Sequence, residues 1–279
     1  MKDIRLIATD LDGTLLDSRK RIPPFSMDVI RECLEQGIVF MIVSGRCFED
    51  ARIPAVETGL PFVIASSNGA RIEKTAHGPL IYERTMTDKE ACACYGILNT
   101  CPGIVNSYTN GRIFVRRLPE DRRKEVRYSG MPDRQSEWIY DDITRMDAEG
   151  IKGVYKFEIY SADKALLRDY TARFTEIGMA VTSANPDDIE IQPADSTKGA
   201  AVRHMMERMG ITKDQVMAFG DYTNDLSMLK EAGYGIAMEN AVPELKREAE
   251  IIAPCNDQEG EARMIRTIAL GKEDTWPVF

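Results

Sequence analysis

The chain has 279 residues, 43% hydrophobic and 29% charged, which is the composition of a globular protein with one large domain or two ordinary ones. Its formal net charge of -9 argues against a nucleic acid partner, because phosphate backbones are bound by basic faces. No apolar stretch is long enough to span a bilayer, no signal-peptide pattern opens the chain, and the 6 cysteines include no Cys-x-x-Cys pair, so we expect a cytoplasmic protein with neither a membrane partner nor a zinc site.

The first part of the chain alternates between predicted strands and a predicted helix. Residues 4–9, 38–43 and 61–65 are short, nearly continuous apolar runs, as is typical of strands that are buried on both faces. Between the first two runs, a helical pattern follows a pair of prolines and ends at Gly37. Each strand ends in small polar residues, which favours a parallel sheet with ligand chemistry at the carboxyl ends of its strands.

The middle of the chain has a different pattern, which predicts an antiparallel unit. Thr87-Asp88-Lys89-Glu90 is a capping box that should begin a helix. Asn110-Gly111, between strand-like runs at 105–109 and 112–116, is the dipeptide of a type I′ hairpin turn. Further predicted elements are a strand at 154–160, a helix at 163–177 and short strands at 181–183 and 189–192.

Residues 118–150 are polar and charged, and their weak periodicity assigns no element. The arginines in and beside this segment are Arg116, Arg117, Arg122, Arg123, Arg127 and Arg134. Two interpretations stay open for them, a solvated basic face and a site for a second phosphate or another acidic group.

After Pro193 the alternating pattern resumes. Val202, Met205, Met206 and Met209 form a helical stripe that predicts core packing. Predicted strands at 216–219, 234–238 and 251–253 and a short helix at 226–232 follow. The simplest architecture is an α/β fold, with a doubly wound parallel-sheet (Rossmann-like) core and an inserted α+β domain. We expect residues 1–83 and 191–279 to form the core and residues 84–190 the insertion.

Two carboxylates, Asp10 and Asp12, follow the first predicted strand. Such a pair repels unless it shares a cation or a proton. Taken alone, the pair is equally consistent with loop carboxylates that cap a helix.

A second polar group, Asp221, Asn224 and Asp225, follows the strand at 216–219. Carboxylate and amide oxygens at parallel strand ends suit a hard cation, and Mg2+ is the ion that best fits them together with substrate phosphate oxygens. Asp225 also stands where it can cap the helix at 226–232, and the two roles are compatible.

Two more residues suit a bound phosphate. Ser44 follows the second strand and can donate a hydrogen bond, while Lys198 stands at a predicted helix start and can offset negative charge. Singly, Ser44-Gly45 is a turn signal and Lys198 a solvated lysine, so their weight comes from their order along the chain.

These segments resemble, in order, the four motifs of the haloacid dehalogenase superfamily. The motifs are Asp10-Leu11-Asp12-Gly13-Thr14, Ser44-Gly45-Arg46, Lys198-Gly199 and Gly220-Asp221-x-x-Asn224-Asp225. The long insertion after the third strand, with Asn68-Gly69 at that strand's end, resembles the Cof-like (IIB) branch. One departure is Glu261, which follows Gly260 where many family members have valine.

The resemblance implies a division of roles between the two carboxylates. Asp10 would be the nucleophile that forms an aspartyl phosphate, and Asp12 the general acid and base. Mg2+ would lie on Asp10, Asp221 and the backbone carbonyl of Asp12.

The remaining motif residues have supporting roles in the family. Asn224 and Asp225 would orient waters or Asp221, while Ser44 and Lys198 would hold the transferring phosphoryl group. The residues implied for loop support and for contacts to phosphate or leaving group are Thr14, Gly45, Arg46 and Asn68. Arg46 is alternatively a surface ion pair.

The resemblance therefore implies a Mg2+-dependent phosphohydrolase of a small phosphorylated metabolite, such as a sugar phosphate. The inserted domain would be a mobile cap that sets specificity, with hinges near residues 83–86 and 187–192. The alternative is a phosphotransferase or phosphomutase acting on a phosphorylated sugar. A response-regulator receiver and a catalytically silent metal-binding protein are weaker alternatives, because a receiver has only the core and carries its phosphorylated aspartate after the third strand. We expect a monomer or a small homo-oligomer.

Overall fold

The computed structural model describes residues 2–110, 112–115, 139–142 and 152–273. Gly111 of the predicted hairpin turn, the six arginines named above and most of the segment at 118–150 lie outside these residues. Among the described residues, no helix combines the length and the apolar character that a membrane span requires.

The chain divides into two compact units, Met1–Glu83 with Asp195–Phe279, and Arg84–Ala194. The strands in chain order are β1 (Leu6–Thr9), β2 (Val39–Val43), β3 (Val63–Ser66), β4 (Arg71–Glu73), β5 (Leu80–Glu83), β6 (Ile104–Thr109), β7 (Arg112–Val115), β8 (Ile139–Asp142), β9 (Val154–Tyr160), β10 (Met179–Thr182), β11 (Asp188–Pro193), β12 (Val216–Gly220), β13 (Tyr234–Met238) and β14 (Ile251–Ala253). The helices are α1 (Pro24–Glu35), α2 (Phe48–Ala51), α3 (Ile53–Thr58), α4 (Asp88–Leu98), α5 (Lys164–Glu176), α6 (Lys198–Met209), α7 (Leu226–Glu231), α8 (Pro243–Glu248) and α9 (Gly260–Ile268).

The first unit contains an eight-stranded sheet in the order β14-β13-β12-β1-β2-β3-β4-β5. The six strands from β14 to β3 are parallel, which confirms the predicted α/β fold with a parallel-sheet core. β1 lies between β12 and β2, with Leu6 opposite Val216 on one side and Val39 on the other. The polar residues that follow these three strands are therefore gathered at one edge of the sheet.

The core of the first unit consists of the apolar strand residues and the helices packed on them. Val202 and Met205 of α6 are buried, and Met206 and Met209 pack against the same cluster while partly exposed. The methionine stripe is therefore core packing, as its spacing predicts. The antiparallel edge strands β4 and β5 were not predicted.

The second unit contains a six-stranded sheet in the order β10-β11-β9-β6-β7-β8. β6 and β7 pair antiparallel, with Thr109 opposite Arg112, so the predicted hairpin strands are confirmed. The predicted capping box also forms, because Thr87 and Glu90 each accept a backbone hydrogen bond from the other at the start of α4.

The two faces of this second sheet differ in chemistry, since side chains alternate along each strand. Val105, Phe157 and Ile159 share an apolar cluster with residues of α4 and α5. Lys156 and Glu158, on the opposite face of β9, are also buried. Lys156 forms an ion pair with Glu190 of β11, and Glu158 accepts hydrogen bonds from the side chains of two β6 residues.

Candidate active site

Asp10 follows β1 and lies beside a buried lysine. Its side chain is nearly enclosed, with 7% of the residue exposed, and Lys198 Nζ lies 2.8 Å from its Oδ1 atom. Lys198 is the first residue of α6, which Thr197 caps by accepting a hydrogen bond from Ala200 N at 3.2 Å. The same ammonium lies 2.6 Å from Asp225 Oδ1, so one cation serves two buried carboxylates.

Burial strongly affects the ionisation of this group. It raises the pKa of Asp10, the charge of Lys198 opposes that rise, and the charge of Asp225 adds to it. The two carboxylates in turn keep Lys198 charged, because they raise its pKa although burial acts to lower it. The arrangement has more negative than positive charge, which favours the uptake of a proton or a cation.

Asp221 follows β12 and turns towards the loop after β1. Thr14 Oγ1 donates a hydrogen bond to its Oδ1 at 2.9 Å. Gly13 has φ +80, and a Cβ atom there would lie 2.4 Å from Asp221 Oδ2, so both the backbone conformation and the space require glycine. The loop at residues 10–14 therefore leaves room for the carboxylate of Asp221.

Three carboxylates at this edge of the sheet form a candidate cation site. Oxygens of Asp10, Asp221 and Asp225 all lie within 4.8 Å of one another. The pKa of Asp221 is raised by burial and by the charges of its two neighbours. Asn224 Oδ1 is buried and has no hydrogen-bond partner among the described residues. An oxygen-rich, electron-rich cluster with an unsatisfied acceptor fits a hard divalent cation.

Within that cluster, both carboxylate oxygens of Asp225 already have partners in the protein. Its Oδ1 faces Lys198, and its Oδ2 accepts hydrogen bonds from the backbone nitrogens of Asp221 and Tyr222, both at 2.9 Å. This leaves Asp10 and Asp221 as the more available ligands and makes Asp225 their support. The predicted capping role of Asp225 is wrong, since its side chain makes no capping bond to α7 and instead folds the preceding loop.

Asp12 lies in a different electrostatic environment from Asp10. Its carboxylate accepts two hydrogen bonds from Arg46, both at 2.7 Å, and one from Lys20 at 2.5 Å. Burial acts to raise the pKa of Asp12, but the hydrogen bonds and charges of these two cations outweigh it and lower that pKa to about 2. Asp12 is thus ionised and turned towards Arg46 and Lys20.

The loops after β2 and β3 are joined by a hydrogen bond beside these carboxylates. Ser44 is buried, and its hydroxyl oxygen accepts a hydrogen bond from Arg46 N across Gly45. Asn68 is buried in a left-handed conformation (φ 56), and its backbone nitrogen donates to Ser44 O at 2.9 Å. Asn68 Oδ1 faces Asn224 Nδ2 at 3.5 Å, which links the third strand's loop to the loop after β12.

All of the predicted site residues lie in the loops after β1, β2, β3 and β12 or at the start of α6. Arg46 does form an ion pair, with Asp12, and the two side chains are half-buried, at 23% and 39% exposure. Lys20 was missed, because it stands in a polar loop with no motif around it. Glu261 stands out in the sequence only as a departure from the family pattern, yet it is buried and its Oε2 atom lies 2.9 Å from the hydroxyl oxygen of Thr9, directly before the nucleophile candidate.

Comparison with known proteins agrees with this geometry. A family model described as haloacid dehalogenase-like hydrolase matches residues 7–265. The chain is 29% identical to the 5-amino-6-(5-phospho-D-ribitylamino)uracil phosphatase of Bacillus subtilis, over 96% of this chain and 99% of that protein.

Solved structures of the family share the fold. A haloacid dehalogenase-like hydrolase from B. subtilis matches with a TM-score of 0.84 and 24% identity, over 95% of this chain and 100% of that one. The HAD subclass IIB sugar phosphatase BT4131 matches with a TM-score of 0.78 and 19% identity, over 95% of this chain and 99% of that one. The chain therefore belongs to the haloacid dehalogenase-like hydrolases and is a phosphatase of that family.

Proposed function

We propose that this phosphatase is a Mg2+-dependent phosphomonoester hydrolase that acts on a small metabolite, such as a sugar phosphate, through a phosphorylated Asp10. The observation that carries the proposal is the contrast between Asp10 and Asp12. Asp10 lies 2.8 Å from Lys198 within a group of buried carboxylates, and Asp12 is turned away towards Arg46 and Lys20. One carboxylate is therefore placed for attack, and the other stands apart from it, where it can exchange protons once its ion pairs open.

In the first half-reaction, an Asp10 carboxylate oxygen attacks phosphorus and the bond from phosphorus to the leaving oxygen breaks. The leaving oxygen takes a proton from the carboxyl group of Asp12. In the second half-reaction, water attacks the phosphorus of the aspartyl phosphate while Asp12 takes a proton from that water. The bond to Asp10 breaks, and inorganic phosphate leaves.

This cycle requires Asp12 to gain a proton, which its ion pairs oppose. Arg46 and Lys20 lower the pKa of Asp12 although burial acts to raise it, so the pairs have to open before Asp12 can donate. An arriving phosphate ester supplies anionic oxygens that compete for the same two cations. We infer that substrate binding draws Arg46 and Lys20 away from Asp12 and lets it take up a proton.

The transferring phosphoryl group has several donors nearby. Lys198 offers an ammonium beside Asp10, and Ser44 offers a hydroxyl at the end of β2. In this proposal, Gly45 and Asn68 shape the phosphate-binding loops and Thr14 holds Asp221 in place. These groups stabilise negative charge on the equatorial oxygens of the transition state.

A divalent cation fits beside these groups. Asp10, Asp221 and the backbone carbonyl of Asp12 would hold Mg2+, with Asn224 and Asp225 as their support. When bound, Mg2+ supplies positive charge that favours ionised Asp10 and offsets charge on the phosphoryl oxygens.

We propose that the second unit sets substrate specificity. Its sheet carries buried polar side chains on one face, including Lys156, Glu158 and Glu190, which is the chemistry needed to recognise a polyhydroxylated leaving group. The B. subtilis relative is named for a phosphorylated ribityl compound, which supports a substrate of this kind.

The test is phosphate release from a panel of phosphorylated metabolites with Mg2+, comparing the wild type with Asp10→Asn. The control is Asp28→Asn, an exposed carboxylate on α1 that pairs with Arg31. We expect Asp10→Asn to abolish release and Asp28→Asn to retain it. Release that persists in Asp10→Asn would exclude Asp10 as the nucleophile. Transfer of phosphate between sugar positions without net release would identify a phosphomutase instead.

A further inference from the structure

Glu261 is a buried carboxyl group next to the nucleophile strand. It is the second residue of α9, is 3% exposed, and places its Oε2 atom 2.9 Å from Thr9 Oγ1. Its other oxygen, Oε1, has no hydrogen-bond partner among the described residues. An ionised carboxylate in this position would leave part of its charge unsatisfied, which is costly in a buried site.

The hydrogen bonds of Thr9 indicate which atom carries a proton. The Thr9 hydroxyl is fully buried, and its oxygen lies 2.8 Å from the carbonyl oxygen of Asp10 and 2.9 Å from Glu261 Oε2. A hydroxyl has one hydrogen to donate, and a carbonyl oxygen has none. Two full hydrogen bonds at Thr9 therefore require a second hydrogen, and Glu261 can supply it only as a neutral carboxylic acid.

We propose that Glu261 is a positioning residue, held as a neutral acid, that donates to Thr9 so that the Thr9 hydroxyl is fixed on the backbone carbonyl of Asp10. The chain of donors runs from Glu261 through Thr9 to Asp10, the proposed nucleophile, and the inference rests on the proposed function in that respect. Glu261 itself touches no reacting atom in this scheme.

The surroundings of Glu261 favour the neutral form. Burial raises the pKa of Glu261 to about 8, and the charge of Asp10 adds to the rise. Among the described residues, the Cys33 thiol of α1 is another titratable group near Glu261, and its pKa is raised by burial and further by the charges of Glu32 and Glu261. Within the described part of the chain, the groups that shift the pKa of Glu261 include no cation.

The backbone of Asp10 is held on more than one side. Its nitrogen donates to Phe219 O at 3.1 Å, and its carbonyl oxygen also accepts from Leu15 N at 3.3 Å. The Thr9 hydroxyl adds the shortest of these contacts. A small rotation of this peptide would move the Asp10 carboxylate away from Lys198, and displacements of that kind are costly for an in-line attack.

Three variants separate positioning by hydrogen bonding from simple packing. Glu261→Gln keeps the shape and a donor for Thr9, while Glu261→Met keeps the length without a donor. Glu244→Gln, on an exposed residue of α8, is the matched control. Because Glu261→Gln has a donor, its kcat should stay within about threefold of the wild type, whereas that of Glu261→Met should fall about tenfold or more, with little change in KM. Equal kcat values for Glu261→Met and the wild type would overturn the positioning role.

A second measurement is independent of catalysis. A carboxyl group whose folded pKa is raised destabilises the protein progressively as pH rises from its unfolded value towards its folded value. With EDTA present, the melting temperature of Glu261→Gln relative to the wild type should therefore increase by several degrees between about pH 5 and pH 8. The corresponding difference for Glu244→Gln should stay flat.

If the difference in melting temperature between Glu261→Gln and the wild type does not change between about pH 5 and pH 8, Glu261 is already ionised and the proposal is overturned. This measurement stays decisive if no substrate in the panel is hydrolysed, because it needs neither Mg2+ nor turnover. Failure of the proposed function would instead appear as persistent activity in Asp10→Asn.

Discussion

Arg46 forms a two-pronged ion pair with Asp12, since its Nε and Nη2 atoms lie 2.7 Å from different oxygens of that carboxylate. Paired bonds of this geometry are among the strongest that a side chain makes to a carboxylate. Asp10, two residues earlier, has Lys198 as its cation instead. The two carboxylates of one short loop therefore have separate cation partners and opposite shifts in pKa.

Asp12→Asn should uncouple the two half-reactions. An asparagine cannot exchange protons, so kcat should fall about 10²- to 10⁴-fold. With p-nitrophenyl phosphate, whose leaving group needs no proton, Asp10 should still be phosphorylated but its hydrolysis should stall. Intact-protein mass spectrometry should then detect one added phosphoryl group per chain. A variant with near wild-type kcat and no phosphoprotein would contradict the role of Asp12.

The ion pairs of Asp12 should also appear in the pH dependence of stability. Burial acts to raise its pKa, but Arg46 and Lys20 lower it from 3.8 to about 2. Folding thus favours the ionised form, whose contribution to the free energy of unfolding is full above about pH 4 and is lost as pH falls towards 2.

Asp12→Asn lacks this contribution. Its difference in unfolding free energy from the wild type, measured with urea, should narrow as pH falls from about 6 to about 3. Asp28→Asn serves as the control for removal of one carboxylate. If the difference in unfolding free energy between Asp12→Asn and the wild type widens towards low pH, Asp12 is not held ionised by its partners.

Mg2+ should stabilise the folded protein through the carboxylate cluster. A ligand that binds only the native state at 100 times its dissociation constant adds about 2.7 kcal/mol to the free energy of unfolding. We expect the melting temperature to rise on addition of Mg2+ and to return with EDTA. Asp221→Asn should lose most of this rise, and Asp28→Asn should keep it. An equal rise in Asp221→Asn would place the ion elsewhere.

The sequence predicts those parts of the fold and site whose signals are local. Apolar runs such as 216–219 mark buried strands, and the polar residues that follow them are collected by a parallel sheet. The edge strands β4 and β5 escaped prediction because Arg71–Glu73 and Leu80–Glu83 are too short to show a period.

Contacts between distant segments were not predictable in the same way. The Thr9 and Glu261 side chains meet across 252 positions of the chain, and no local pattern at either residue indicates the other. The pairing of Lys20 with Asp12 depends likewise on the path of the loop after β1, where Lys20 has a left-handed conformation (φ 59). The residue types at the site are visible in the sequence, whereas the choice of partners is made by the fold.

Gly13 and Gly37 offer a matched pair that separates backbone strain from crowding at the site. Both have positive φ values, +80 and +76, so alanine at either position should cost about 1–2 kcal/mol of stability through its conformation alone. A Cβ at Gly37 meets nothing within 4 Å, whereas at Gly13 it would lie 2.4 Å from Asp221 Oδ2. Gly13→Ala must therefore displace Asp221 or the loop.

We expect urea unfolding to give similar or somewhat larger losses for Gly13→Ala than for Gly37→Ala. Phosphate release and the Mg2+-dependent rise in melting temperature should fall sharply in Gly13→Ala only, because only that variant disturbs the proposed ligand Asp221. Equal catalytic loss in the two variants would attribute the effect to general destabilisation. Full activity in Gly13→Ala would mean that the closeness of this loop to Asp221 has no part in catalysis.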